Sequence, residues 1–266
     1  MSTRLLDIDK ILRKLDNNVM NLFKKLKNLF ISFEDTISKE HSCICCSKEI
    51  LDGSFYQICQ KCLNNIDIIG SRVCAKCGER LFDDILLCDI CKDVDYNFNS
   101  SRSVCYYNEE SSNIVKALKY GGRKYYAKHI AKMMTEDKTI FEQVDIITFV
   151  PMLNKKQKVR GYNQAEEIAR EISKIVDLPV IDCLEKISEN KNQAKLNKEE
   201  RLKNLSGIIC LCENVKDDLK GKYVLIIDDV FTTGATLSEC AKILKASKPK
   251  QINALTFAKT KLNSIN

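Results

Sequence analysis

At 266 residues, with 44% apolar and 30% charged residues, the chain has room for one large domain or two smaller ones and the balance of an ordinary globular protein. No stretch approaches the roughly 18 consecutive apolar residues of a spanning helix, and Asp7, Asp9 and Asp16 interrupt the amino terminus before the apolar core of a secretion signal could form. A cytoplasmic protein is expected.

The net charge of +7 is unevenly distributed. Residues 1–40 carry +2; residues 41–97, with six basic and nine acidic side chains, carry −3; residues 98–266, with 29 basic and 21 acidic, carry +8. The last part is the better candidate for holding phosphates or other anions.

In residues 1–40, Leu5, Ile8, Leu12, Leu15, Val19, Leu22, Leu26 and Leu29 follow a 3-4 spacing that predicts an amphipathic helix. Ile11, Phe23 and Phe30 broaden the stripe beyond a coiled-coil seam. The stripe suits packing on the chain itself, a homodimer through this helix, or, with Lys24, Lys25 and Lys27, a membrane surface.

Residues 41–97 hold four C-x-x-C pairs: Cys43/Cys46, Cys59/Cys62, Cys74/Cys77 and Cys88/Cys91. Two residues between thiolates let both sulfurs of a tight turn reach one tetrahedral ion, so four pairs predict two structural zinc sites. The intervals of 12, 11 and 10 residues suit sequential and interleaved pairing alike. Gly78, directly after Cys77, fits a knuckle turn, and His41 and Cys45 are substitute ligands to consider at the first site. Two closed tetrathiolate sites would deepen the charge of this segment to about −7, which favours a structural or docking role over contact with a nucleic-acid backbone.

From residue 98 the pattern alternates helices with apolar strands, an α/β pattern with a mainly parallel sheet and its site at the carboxyl ends of the strands. "SSNIVKALKYGGRKYYAKHIAKMM" predicts helix, glycine break, helix, capped at Ser111 or Ser112, and "DIITFVP" a buried strand ended by Pro151. "NQAEEIAREISKIV" predicts a helix with Asn163 and Glu166 in capping-box spacing. Short strands are expected near 180–184 and 207–212, then "YVLIIDD", a helix on Leu237, Ala241 and Leu244, and the strand "INALTFA". No histidine reads as a catalytic base: His129 falls in a helical segment and His41 beside the knuckles.

The stretch "VLIIDDVFTTGAT" (224–236) places Asp228 and Asp229 at a strand end, with Thr232, Thr233, Gly234, Ala235 and Thr236 turning into the next helix. Amides and hydroxyls at such a turn make an anion cradle, and the carboxylates suit hydroxyls or magnesium on the same ligand, so a sugar phosphate is expected. A Walker ATPase would need G-x-x-x-x-G-K-[ST], which the chain lacks.

Here the sequence resembles the 5-phosphoribosyl-1-pyrophosphate (PRPP) motif of the type I phosphoribosyltransferases. With "RGYNQA" (160–165) and the cysteine pairs it resembles the ComF family from about Cys43 onward. The resemblance implies a type I phosphoribosyltransferase domain over 98–266, a double zinc ribbon over 41–97, and a helical extension over 1–40 that it does not cover. It implies that Asp228 and Asp229 hold the ribose hydroxyls and Thr232 to Thr236 the 5-phosphate. Lys155, Lys156, Lys158 and Arg160 would lie on a loop meeting the pyrophosphate, although the family usually has arginines where Lys155 and Lys156 stand. Gln193, Arg201 and Asn204 would belong to a loop closing over the site, with Lys119 near it.

The implied reaction is transfer or hydrolysis of a phosphoribosyl group, with Asp228, Asp229, Arg160, Lys119 and Gln193 as catalytic candidates and magnesium as companion of PRPP. The acceptor is not encoded in any motif. A PRPP sensor without turnover, or a DNA-uptake factor binding single-stranded DNA or competence-machinery proteins, are the other readings.

Overall fold

The computed structural model describes residues 42–50, 56–120, 122–187 and 208–261. The expected amino-terminal helix, His41, and the segment with Gln193, Arg201 and Asn204 lie outside these residues.

In each group of four cysteines the third stands at the start of a short helix: Cys59 precedes α1 (Gln60–Asn65) and Cys88 precedes α2 (Asp89–Asp93). The rest of the chain runs β1 (Ser100–Tyr106), α3 (Glu109–Lys119), α4 (Ala127–Met134), β2 (Ile146–Phe149), α5 (Asn154–Arg160), α6 (Gln164–Val176) and β3 (Leu184–Lys186). It continues through β4 (Ile209–Leu211), α7 (Lys216–Leu219), β5 (Tyr223–Phe231), α8 (Ala235–Leu244) and β6 (Gln251–Lys259). Strands β1, β6, β5 and β2 form one sheet in that order, every pairing parallel.

The sheet is buried on both faces, as a parallel sheet with helical crossovers requires. Alternation along β5 divides the core. Leu225 and Ile227 pack with Leu118, Ile130 and Ile168 from α3, α4 and α6; Val224 and Ile226 pack with Leu237, Ala241 and Leu244 of α8. The two cysteine segments divide likewise, with Cys43 and Cys62 in the first cluster and Cys74, Cys77, Cys88 and Cys91 in the second. The knuckles therefore rest against opposite faces of one sheet.

Several local expectations change. The cap of α3 is Asn108, whose side chain accepts from the Ser111 amide while Ser111 answers from its hydroxyl, so the capping pair begins earlier than either expected serine. Asn163 caps α6 through the Ala165 amide at 3.1 Å, and Glu166 binds Arg170 rather than closing a box. Short β3 and β4 pair with each other antiparallel, apart from the main sheet. Strand β1, serine-rich and without an apolar run, carried no sequence signal. The expected pyrophosphate loop is a helix, α5, bearing Lys155, Lys156, Lys158 and Arg160, with none of its residues buried.

Gly78 shows how closely the second knuckle meets the sheet. Its φ is +71°, and a Cβ there would lie 2.6 Å from the Ser101 carbonyl oxygen in β1. Gly78→Ala is expected to lower stability by at least about 1–2 kcal/mol from the left-handed backbone alone, read as the midpoint of denaturant unfolding. An unchanged midpoint would show that the knuckle does not bear on β1.

Candidate functional site

The site is built where β5 outruns β2. Phe149, the last residue of β2, lies opposite Ile227, so Asp228 opens the part of β5 that β2 no longer covers. On its other side β5 stays paired with β6 through Phe231. A carboxylate dipeptide is thus held at the carboxyl ends of the strands, where open α/β sheets bind ligands.

Alternation sends the two carboxylates to different faces. Asp229 is buried, and its Oδ2 lies 2.5 Å from Nζ of Lys119, at the end of α3. Burial alone would lower the Lys119 ammonium, but the Asp229 charge outweighs it and raises the group above its ordinary value. Asp228 leaves toward α8. Burial, reinforced by the charge of Asp229, pushes its carboxyl well above the usual range, against the opposing pull of the Asp229 amide and of Lys119.

Opposite these acids stands the start of α6. Gly161, at φ +90°, turns the chain after α5, and the Asn163 side chain donates to the Val150 carbonyl just beyond β2, tying that turn to the sheet. Tyr162 donates its hydroxyl to the Leu118 carbonyl, beside Lys119. Arg160 bonds Gln164 and lies 5.6 Å from the centre of the Tyr120 ring. Its charge reaches Lys119, so Arg160, Lys119, Asp228 and Asp229 share one electrostatic neighbourhood. Lys155, Lys156 and Lys158 are exposed on α5.

After Phe231 the chain makes the tight turn Thr232–Thr233–Gly234, and Ala235 and Thr236 are already the first residues of α8 rather than part of the turn. Gly234 caps α8 at φ +74°, and a Cβ there would come within 2.6 Å of the Phe231 ring and 2.8 Å of the Tyr96 ring. Only glycine fits. The amides at this helix start, of which that of Ala235 already donates to the Thr233 hydroxyl at 3.4 Å, make with the hydroxyls of Thr232 and Thr236 a cradle suited to a phosphate.

The eight cysteines assemble as Cys43, Cys46, Cys59 and Cys62, and as Cys74, Cys77, Cys88 and Cys91; within each group the sulfurs lie inside 4.8 Å of one another. The pairing is sequential. Sulfur separations of 3.8 Å (Cys46–Cys59) and 3.6 Å (Cys77–Cys88) match the edge of roughly 3.8 Å that a tetrahedron with Zn–S near 2.3 Å requires. Amides of Cys59 and Cys88 point at the sulfurs of Cys43 and Cys74, as thiolate ligands need. Cys77 is drawn down to about 5, first by the Cys91 thiol and, against burial, by the Lys259 charge. Both groups could therefore hold zinc. Cys45 is in neither.

Lys259, the last residue of β6, is fully buried. Its Nζ donates to the Cys77 carbonyl at 3.2 Å, lies 3.6 Å from the Glu79 carboxylate and sits 3.8 Å over the Phe231 ring. An interior cation is costly unless paired, and the second knuckle supplies its partners.

Residues 158–263 match the phosphoribosyl transferase domain family. The chain is 24% identical to Competence protein F of Haemophilus influenzae over 70% of its own length and 84% of that protein's. It is 24% identical to Competence protein ComFC of Bacillus subtilis over 77% and 85% of the two lengths. The chain is a homologue of these competence proteins. Another relative, the DNA utilization protein YhgH of Escherichia coli K12, is 23% identical over 65% of this chain and 77% of its own. Among solved structures, a purine phosphoribosyltransferase from Pyrococcus horikoshii shares 19% identity over half of this chain and 72% of its own, with a TM-score of 0.34.

Among the described residues, no helix is long and apolar enough to cross a membrane. The site residues named from sequence fall in three places. Lys119, Asp228, Asp229 and Arg160 converge; Thr232 to Thr236 form the adjoining cradle; Lys155 and Lys156 ride on α5. Tyr96 and Thr260, which touch the cradle, carried no sequence signal, because nothing in "DVDYNFN" or "AKTK" indicates a distant partner.

The raised carboxyl and the thiol groups each have a measurable consequence. Because the carboxyl of Asp228 is raised in the folded state, the unfolded chain ionises first as pH rises through about 4, and stability falls from there toward the raised value. Asp228→Asn should remove that loss, so thermal melts of variant and parent should diverge in the variant's favour as pH increases; parallel curves would contradict it. Metal removal by a chelator at neutral pH should lower the main unfolding transition, since structural zinc binding is folding free energy. An unmoved transition would show that the clusters bear no structural load.

Proposed function

We propose that the chain binds PRPP with magnesium and transfers or hydrolyses its phosphoribosyl group. The observation that carries this reading is the run from Asp228 to Thr236: two carboxylates within the last four residues of β5, then a glycine-capped turn opening α8. The family match over 158–263 includes this run.

In this reading the cradle takes the 5-phosphate, and Asp228 and Asp229 face the ribose hydroxyls. Arg160 and Lys119 supply cations on the pyrophosphate side, and Lys155, Lys156, Gln193 and Arg201 would join them as the ligand is enclosed. Magnesium would neutralise charge on the departing pyrophosphate. As the bond from C1 to pyrophosphate breaks, the sugar carbon becomes cation-like, so the residues act by positioning and by stabilising the leaving anion. No side chain has to remove a proton from the sugar. Residues 41–97 would serve as a metal-bound ribbon module and 98–266 as the transferase domain.

A second reading draws on the names of the relatives, which concern competence and DNA utilization. The exposed lysines of α5 and the +8 charge of residues 98–266 suit a phosphate backbone. This reading predicts single-strand binding that falls steeply with salt, whereas a PRPP sensor would bind PRPP without releasing pyrophosphate.

The deciding variant is Asp228→Asn with Asp229→Asn. Calorimetry with magnesium and PRPP should show binding to the parent and its loss in the double variant; intact affinity in the variant would take the ligand away from these carboxylates, and no binding to the parent would rule the PRPP readings out. Pyrophosphate release in the presence of candidate acceptors or water then separates turnover from sensing.

A further inference from the structure

The cradle is held from behind by two hydroxyls. Tyr96, buried five residues beyond Cys91, donates to the Thr233 carbonyl at 3.0 Å. Thr260, just past β6, donates from its hydroxyl to the Thr232 carbonyl at 3.2 Å, and its amide meets the Phe231 carbonyl at 3.0 Å. No peptide bond among the described residues is cis. In a trans peptide the carbonyl and the following N–H point in opposite directions. Drawing the carbonyls of Thr232 and Thr233 inward therefore turns the amides of Thr233 and Gly234 outward, toward the open side of the turn.

The Tyr96 ring is itself fixed. It stacks on Phe98 with centroids 4.9 Å apart and meets Phe231 edge-on at 6.2 Å, within the apolar cluster that contains the second cysteine group. Next to it, the Asn97 amide and side chain both donate to the Ser238 hydroxyl in the first turns of α8. The segment leaving the second knuckle thus grips the cradle and the helix behind it. Burial pushes the Tyr96 phenol above its ordinary value, which keeps the hydroxyl a donor at neutral pH.

We propose that Tyr96 and Thr260 are positioning residues of the phosphate cradle, aiming the Thr233 and Gly234 amides at the 5-phosphate without touching it. The proposal rests on the PRPP reading for the identity of the anion, but not for the geometry of the turn.

The test uses the full chain with Tyr96→Phe and Thr260→Val, each of which removes a hydroxyl and keeps the shape. Ribose 5-phosphate probes the cradle and inorganic pyrophosphate with magnesium probes the other end. Each variant should weaken ribose 5-phosphate binding by about five- to tenfold and leave pyrophosphate binding unchanged. Amide hydrogen exchange should quicken across 232–236 and remain unaltered at the turn around Gly161. Equal loss for both ligands, or ribose 5-phosphate affinity equal to the parent's, overturns the proposal. If the parent binds neither ligand, the PRPP reading fails, and the exchange rates alone decide whether the hydroxyls hold the turn: unchanged exchange sinks the positioning role as well.

Discussion

The burial of Val224 to Ile227 on both faces of the sheet is the constraint on which the site depends. Each residue of this run packs into one of two apolar clusters, so β5 cannot slip in register without moving its whole set to the wrong face. That rigidity fixes where Asp228 and Asp229 stand. It also carries their cost: a carboxylate dipeptide at a half-buried strand end is tolerated because Lys119 meets one acid and the other stays closer to neutrality.

The cysteine groups extend the same logic to the outer layers. Each four-thiol group would close around one ion and so turn a short segment into a rigid block without a core of its own. Because the first group packs with α3, α4 and α6 and the second with α8, the blocks clamp the sheet from two sides. The second also supplies the back of the phosphate cradle through Tyr96 and the partners of the buried Lys259. Its place in the structure is as much the wall of a site as a separate ribbon.

What could be read in the sequence was what depends on local periodicity and spacing. The alternation of apolar strands and helices, the strand-end carboxylates, the glycine-capped turn and the eight thiols all follow rules that operate within a dozen residues. The pairing of the thiols did not, since the three intervals are nearly equal, and only the approach of the sulfurs decides it. Strand β1 escaped because its serines reach partners in β6 more than 150 residues away, Ser100 meeting Asn253 and Ser103 meeting Thr256. The α5 cations read as a loop because Pro151 and a run of lysines mask a helix of under two turns. The convergence of Lys119 on Asp229 is likewise a property of the crossover, not of either motif.

Lys259 shows why a boundary drawn on composition need not be one in energy. The acidic, cysteine-rich segment and the basic α/β segment meet at residue 97, and by charge alone they look separable. Yet a chain begun at residue 98 would strip the buried ammonium of Glu79 and the Cys77 carbonyl and bare the Phe231 ring at the root of the cradle. Solvent would then enter beneath the one turn that has to stay still. In this fold the cysteine-rich segment works as the floor beneath the turn that opens α8, and the two stand or soften together.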